Sequence, residues 1–290
     1  MASSNEPSRE TVSATDAGEW YSNGAGFNGT ELCAPGGTRF PLCFDRAAIV
    51  FAVVESRVSD LETDRLGVRV GRVEGVTAAD VPELLEWARG QAVEFLIART
   101  NAGDADAALA LMAISAQCVS SEIYYKGSLD PPPFASTCEI SPAADGDREA
   151  VIRLATTAFA AYPSHYRFAT RLDPQRIEAT YSNWAENCFD KKAAEITLVA
   201  RSSAKIVGFS SFARAGSDGV RLVLGAVDPT ARGRHVYTQL TLAGMAWARD
   251  KGLKWIIAIT LAGNIPAQRS WVAAGLTPDS ATSTFHLWLP

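Results

Sequence analysis

Two hydrophobic periods alternate along the chain. Leu66, Val68 and Val70 stand against Gly67, Arg69 and Gly71, the period of two that predicts a half-buried strand over 66–73. Val81, Leu84, Leu85 and Ala88 then follow the 3.6-residue period, behind Asp80 as a cap and Pro82 in the first turn. Apolar runs predict strands at 47–55, 94–99 and 119–126, with an Ala/Leu helix over 105–116. These elements make a small α/β unit over 46–128. Residues 129–136 hold three consecutive prolines, which continue neither a helix nor a central strand and predict a stiff linker.

A second unit, 137–290, follows. Its pattern predicts strands at 137–140, 196–201, 206–213, 220–227, 255–260 and 284–289, and helices at 147–158, 174–189, 236–251 and 266–274. Lys205 lies in a short turn between two apolar runs, so 196–201 and 206–213 are expected to form a hairpin. Both units share a strand–helix–strand–helix–strand order and are expected to be diverged copies of one module. Residues 1–45, rich in Gly, Ser, Asn and Thr, are expected to form a partly ordered segment.

The chain has 290 residues, 47% hydrophobic and 20% charged, enough for two cores. It has no run of about 18 apolar residues and no apolar stretch near the N-terminus, so neither a membrane span nor a secretory signal is expected. Cysteines 33, 43, 118, 138 and 188 form no C-x-x-C pair, and His165, His235 and His286 are far apart. A disulfide scaffold or a metal centre is therefore not expected, and a reducing, cytoplasmic setting is. Residues 1–135 carry 10 basic against 19 acidic side chains, and 136–290 carry 17 against 13. A polyanion would therefore be met by the second half, unless the asymmetry is only drift of surface charge.

The candidate chemistry lies in 220–275. A predicted strand ends at Gly225-Ala226-Val227-Asp228-Pro229, Arg232-Gly233-Arg234-His235 follows, and a helix opens at Val236-Tyr237. Free amides at a helix start, with arginines beside them, are an anion site, and a surface turn with two solvated arginines is the bland alternative. His165 has the intrinsic pKa of a general base, and Tyr166 adjoins it; an exposed loop histidine is the competing reading. Ser210, Ser211 and Thr260 are candidate hydrogen-bonding groups, and Phe168, Trp184 and Trp288 candidate pocket walls, against plain strand and core roles.

The order strand, Val-Asp-Pro-x-x-Arg232-Gly233 loop, helix, Trp-Ile-Ile-Ala-Ile-Thr strand, then Asn264-x-x-Ala267-x-x-x-Trp271-x-x-x-Gly275 resembles the GCN5-related N-acetyltransferase (GNAT) superfamily over about residues 138–290. Tyr181-x-x-Trp184-x-x-Asn187 and Thr284-Phe-His-Leu-Trp288 are most similar to bacterial acyltransferases acting on amino sugars and related metabolites, which carry a half-sized N-terminal module of the same kind. Residues 61–71 resemble a worn form of that module's strand entry.

The resemblance implies an α/β GNAT fold, a mixed sheet flanked by helices in two tandem modules. It implies a metal-free N-acyltransferase using acyl-CoA, such as acetyl-CoA, on a small-molecule amine, as found in natural-product biosynthesis, and is compatible with a homodimer. Arg232, Gly233, Arg234, His235, Val236 and Tyr237 would hold the diphosphate, with His235 in place of the family's first loop glycine and Tyr237 in place of its last. Gly225, Ala226 and Val227 would pair with the pantetheine, and Asn264 with Ala267 would contact it. His165 and Tyr166 would fall near the acceptor. Trp271 stands where many relatives place a thiolate-protonating tyrosine, and an indole N–H is no usable acid. Three options stay open: a thiolate that leaves unaided, a different acyl donor such as an aminoacyl-tRNA met by arginines 167, 171, 176, 232 and 234, or a non-catalytic ligand-binding protein.

Overall fold

The computed structural model describes residues 55–135 and 137–290; the strand expected at 47–55 lies almost entirely, and the segment 1–45 wholly, outside them. In chain order the elements are β1 (Glu55–Val58), α1 (Asp60–Leu66), β2 (Val70–Glu74), α2 (Val81–Gly90), β3 (Phe95–Asn101), α3 (Ala105–Ala113) and β4 (Gln117–Ser128). After the proline segment come β5 (Glu139–Pro142), α4 (Arg148–Phe159), α5 (Pro174–Phe189), β6 (Ile196–Ser202), β7 (Lys205–Ala215), β8 (Gly219–Val227), α6 (Val236–Asp250), β9 (Trp255–Leu261), α7 (Ile265–Ala273) and β10 (Thr277–Trp288).

Most elements follow the sequence pattern; one does not. Residues 60–66 form a helix that the pattern does not predict, and it takes in Leu66, the first residue of the strand expected at 66–73. Ser59 caps this turn by accepting from the Glu62 amide, and Gly67 ends it in the left-handed region at φ 75°. The strand therefore begins only at Val70. β10 starts at Thr277, well before the apolar residues that mark it, because its first half is polar.

All ten strands form one sheet in the order β1-β2-β3-β10-β4-β9-β8-β7-β6-β5. β10 thus pairs antiparallel with both β3 and β4, and β4 with both β10 and β9. Each half of the chain sends its last strand across to the next-to-last strand of the other half. The numbering repeats with it. β3, α3 and β4 begin at 95, 105 and 117, and β9, α7 and β10 at 255, 265 and 277, a constant offset of 160. Asp104 and Asn264 cap α3 and α7 in the same way, and Ser115 and Gly275 follow them with positive φ. Ile97, Ala98, Thr100, Ala102, Gly103, Ala107 and Ala113 recur as Ile257, Ala258, Thr260, Ala262, Gly263, Ala267 and Ala273. The pair Glu122–Thr282 is its own image under this offset, so a pseudo-twofold axis passes between β4 and β10 there.

One face of the sheet packs under α2 and α3, around Leu84, Leu96, Leu111 and Phe285, and under α6 and α7, around Leu240, Ile256 and Trp271. The opposite face is covered in two places. α4 and α5 lie over Phe209 and Leu224; α1 and the turn at 165–168 lie over Phe95 and Ile97. Helix α6 approaches β7 closely at Gly244, where a Cβ would fall 2.1 Å from the Phe212 ring.

We predict that Gly244→Val lowers stability by about 1–3 kcal/mol through overpacking. Urea melts of the two proteins check this, and coincident curves would contradict the packing described.

Candidate functional site

β8 and β9 are parallel neighbours, yet they pair only over Gly219–Arg221 and Trp255–Ile257. Beyond that point β8 stays with β7 as far as Val227, and β9 stays with β4 as far as Leu261. The two strands splay, and a cleft opens between their C-terminal halves. Gly225, Ala226 and Val227 lie on one side of it; Ala258 and Thr260 lie on the other. Ligand sites in open α/β sheets sit at such carboxyl ends.

The turn after β8 is tied down from within. Asp228 accepts from the Thr230 hydroxyl at 2.7 Å and the Thr230 amide at 2.9 Å, and Lys205 Nζ lies 3.0 Å away. These partners hold the Asp228 carboxyl well below the usual range. The chain then turns through Gly233 (φ 76°) and His235 (φ 56°, ψ 19°) into α6. Among the described residues, the amides of 232–238 make no hydrogen bond, and Arg232 and Arg234 make no ion pair. Seven uncommitted donors at a helix start with two free guanidiniums are what a diphosphate requires.

His235 holds the last turn before α6 in a conformation that favours glycine. Its backbone takes the left-handed conformation that a glycine would supply, at a cost of about 1–2 kcal/mol. The imidazole is exposed and packs edge-on against Phe134 of the proline segment, with ring centroids 5.6 Å apart.

Tyr237 is the residue that enters the cleft. Its ring lies on Gly225, where a Cβ would fall 2.6 Å from the ring and 2.6 Å from Ser210 Oγ. Gly225 is glycine because that ring needs the space. Tyr237 also faces Trp271, centroids 6.1 Å apart, and burial pushes its phenol up, so the hydroxyl stays protonated. Asn264 is committed within the fold: Oδ1 accepts from the Ala267 amide at 3.4 Å, and Nδ2 donates to Thr260 Oγ1 at 2.8 Å. Trp271 is buried against Tyr125. From the opposite face Tyr162 reaches Thr260 at 3.5 Å, with Phe159 and Tyr181 packed around it.

His165 and Tyr166 are not brought to this cleft. His165 Nδ1 lies 2.9 Å from Nε2 of His286 on β10, and Tyr166 donates to Glu62 of α1. His286 is four residues beyond Thr282 along β10, about 13 Å at the rise of a strand. Burial holds the His165 imidazole well below its ordinary pKa, helped by His286 and by Arg99 and Arg72. His286 is lowered to about 4, chiefly by burial. Both rings are neutral near pH 7, and Tyr166, raised by burial, is no base. Phe168 is exposed, Trp288 packs on Phe95, and Ser211 bonds Thr197. Tyr162 is the side chain that the sequence pattern does not single out, while Tyr181 enters there only through the Tyr181-x-x-Trp184 motif; their shared signal was the aromatic cluster they make with Phe159.

The corresponding turn of the N-terminal half, ahead of α2, carries an acid and no basic side chain over 77–81: Asp80 Oδ2 accepts from the Thr77 amide at 2.8 Å and from the Thr77 hydroxyl at 2.6 Å. Among the described residues no group of three His, Cys, Asp or Glu is placed to hold a metal, and no helix is long and apolar enough to cross a membrane.

Comparison with known proteins agrees with this geometry. Residues 158–275 match the model of the Acetyltransferase (GNAT) family. A GCN5-related N-acetyltransferase from Sphaerobacter thermophilus is 18% identical, covers 80% of this chain and 76% of its own, and has a TM-score of 0.52. One from Kribbella flavida is 15% identical over 75% and 80%, with a TM-score of 0.51. A functionally unknown conserved protein from Staphylococcus epidermidis is 11% identical over 83% and 94%, with a TM-score of 0.53. No curated protein matches. The likeness to these structures is one of fold, and the matched segment 158–275 contains the splay of β8 from β9 and the turn that follows β8.

The neutral histidine pair predicts an acid-sensitive fold. Unfolded histidines take up protons below about pH 6.5, while folded His286 resists down to about 4. Stability is therefore complete above pH 6.5 and falls as pH drops toward 4, by up to about 1.4 kcal/mol per pH unit for each histidine. Urea melts at pH 7 and pH 5 check this; His286→Phe should flatten the slope, and a wild-type protein equally stable at both pH values would contradict it.

Proposed function

We propose that the chain moves an acyl group from acyl-CoA, with acetyl-CoA the simplest donor, to the amino group of a small metabolite such as an amino sugar or a natural-product intermediate. The observation that carries this reading is the splay of β8 from β9 next to a turn whose amides and arginines are uncommitted. Arg232, Arg234 and the amides of 232–238 hold the diphosphate. The free edge of β8 at 225–227 takes the pantetheine as one more strand would be taken. Asn264 acts through Thr260, which it orients toward the cleft. An amine attacking the acyl carbonyl needs a proton acceptor and donors for the oxyanion. His165 is buried away from the cleft, so the ammonium proton leaves through water beside Tyr162 and Thr260. The turn before α2, which carries Asp80 and no basic side chain, supports a single donor site, with residues 46–128 as a degenerate module and 137–290 as the acyltransferase domain.

One observation favours a second reading. The Tyr237 ring lies over Gly225, on the path a pantetheine would take along β8. A donor without that arm, such as an aminoacyl-tRNA, would leave the ring in place. CoA needs it to swing aside.

We predict that Arg232→Ala weakens CoA binding about tenfold, the scale of one charge-assisted hydrogen bond. Calorimetric titration with CoA and, separately, with an acylated tRNA checks both readings. Binding of CoA that depends on Arg232 supports the first. Binding of acylated tRNA alone supports the second, and unchanged CoA affinity in the variant contradicts the turn assignment.

A further inference from the structure

The slot beside Gly225 is filled by a tyrosine ring but is not walled for one. The ring of Tyr237, in the first turn of α6, lies on Gly225 of β8 and faces Trp271 of α7, centroids 6.1 Å apart. Ser210 of β7 is the cross-strand partner of Gly225, and its Oγ would stand 2.6 Å from a Cβ placed there, as the Tyr237 ring would. Ser210 is fully buried, and its hydroxyl has no hydrogen-bond partner among the described residues. Trp271 is 1% exposed, and its indole Nε1 has none either. The indole lies near the Tyr237 hydroxyl and lowers that phenol against the larger effect of burial, but not within hydrogen-bond geometry.

A buried hydroxyl or indole N–H left unpaired is costly, and native folds keep few of them. A slot built only to hold a tyrosine ring would present it with apolar side chains. This one presents two groups that donate, and the indole can do nothing else. The occupant that suits it carries acceptor oxygens. The slot also opens next to the anion turn, because Tyr237 directly follows residues 232–236. A ligand held there by its diphosphate brings whatever is attached to that diphosphate to the slot. Gly225 has no side chain to block the way to Ser210, and a glycine inside a strand marks such a close approach.

We infer that the Tyr237 ring is a gate in the slot for the donor's arm, and that Ser210 and Trp271 are positioning residues that pair with carbonyl oxygens of that arm once the ring swings out. The inference rests on the acyl-CoA reading above and deepens it. Ring and arm compete for one space. Closed, the ring covers Gly225 and leaves two buried donors unpaired. Open, an amide-bearing arm such as that of CoA satisfies both. A diphosphate without an arm engages the turn alone and leaves the ring in place. The slot therefore selects donors by the arm between diphosphate and acyl group, and the gate lowers their affinity by the fraction of molecules in which it stands open.

The probes are CoA and ADP, which share a diphosphate and differ in the arm, and calorimetry reads both. Tyr237→Ala empties the slot and should tighten CoA about three- to tenfold. Ser210→Ala should weaken CoA about five- to tenfold, and Trp271→Phe, which keeps a ring and removes the N–H, should do likewise. ADP affinity should not move in any variant. Without ligand, Ser210→Ala should melt no earlier than the wild type, because it deletes an unpaired hydroxyl. Opposite shifts for CoA beside a constant ADP affinity do not arise from damage to the fold. Equal CoA affinity in all four proteins, or shifts that ADP shares, would overturn the inference and leave the acyl-CoA reading standing. CoA that binds neither the wild type nor Tyr237→Ala would sink that reading and the gate with it.

Discussion

The structure depends on the reciprocal crossing of β4 and β10. Each is the last strand of its half, and each completes its pairing on the next-to-last strand of the other half. Neither half can close its core alone, because Phe285 and Leu287 of β10 pack under α2 and α3 while Tyr125 of β4 packs under α7. The crossing also fixes β9 against β4 along its whole length. β9 is thus held away from β8 once the short pairing at 219–221 ends, and the cleft follows from that competition.

The two halves share this geometry and have diverged in chemistry. In one, the turn before the helix carries Asp80 and no basic side chain, and the strand face carries Arg72, Glu74 and Arg99. In the other, Asp228 braces the turn from behind and leaves the amides of 232–238 open. The N-terminal half supplies β3 and β4 to the shared sheet.

Much of this was legible in the sequence. Period and capping residues place α2, α4–α7 and β6–β9 to within a few residues, and the Arg-Gly turn marks the cleft. The helix at 60–66 was hidden because Leu66, Val68 and Val70 alternate across a Gly67 that ends one element before the next begins. The exchange of β4 and β10 has no local signal, since strand partners lie more than 120 residues apart. His286 is likewise 121 residues from His165, so a histidine suited to be a base turned out to be half of a buried neutral pair. Tyr237 occupies a glycine-or-alanine position of the loop, but only packing shows that its ring lies on Gly225.

The most direct measurement is hydrogen exchange of the turn amides with and without CoA. If residues 232–238 supply the donors, exchange there slows on addition of CoA while the turn at 77–80 is unaffected. Protection confined to other segments, or no protection under conditions where CoA binds, would contradict the account.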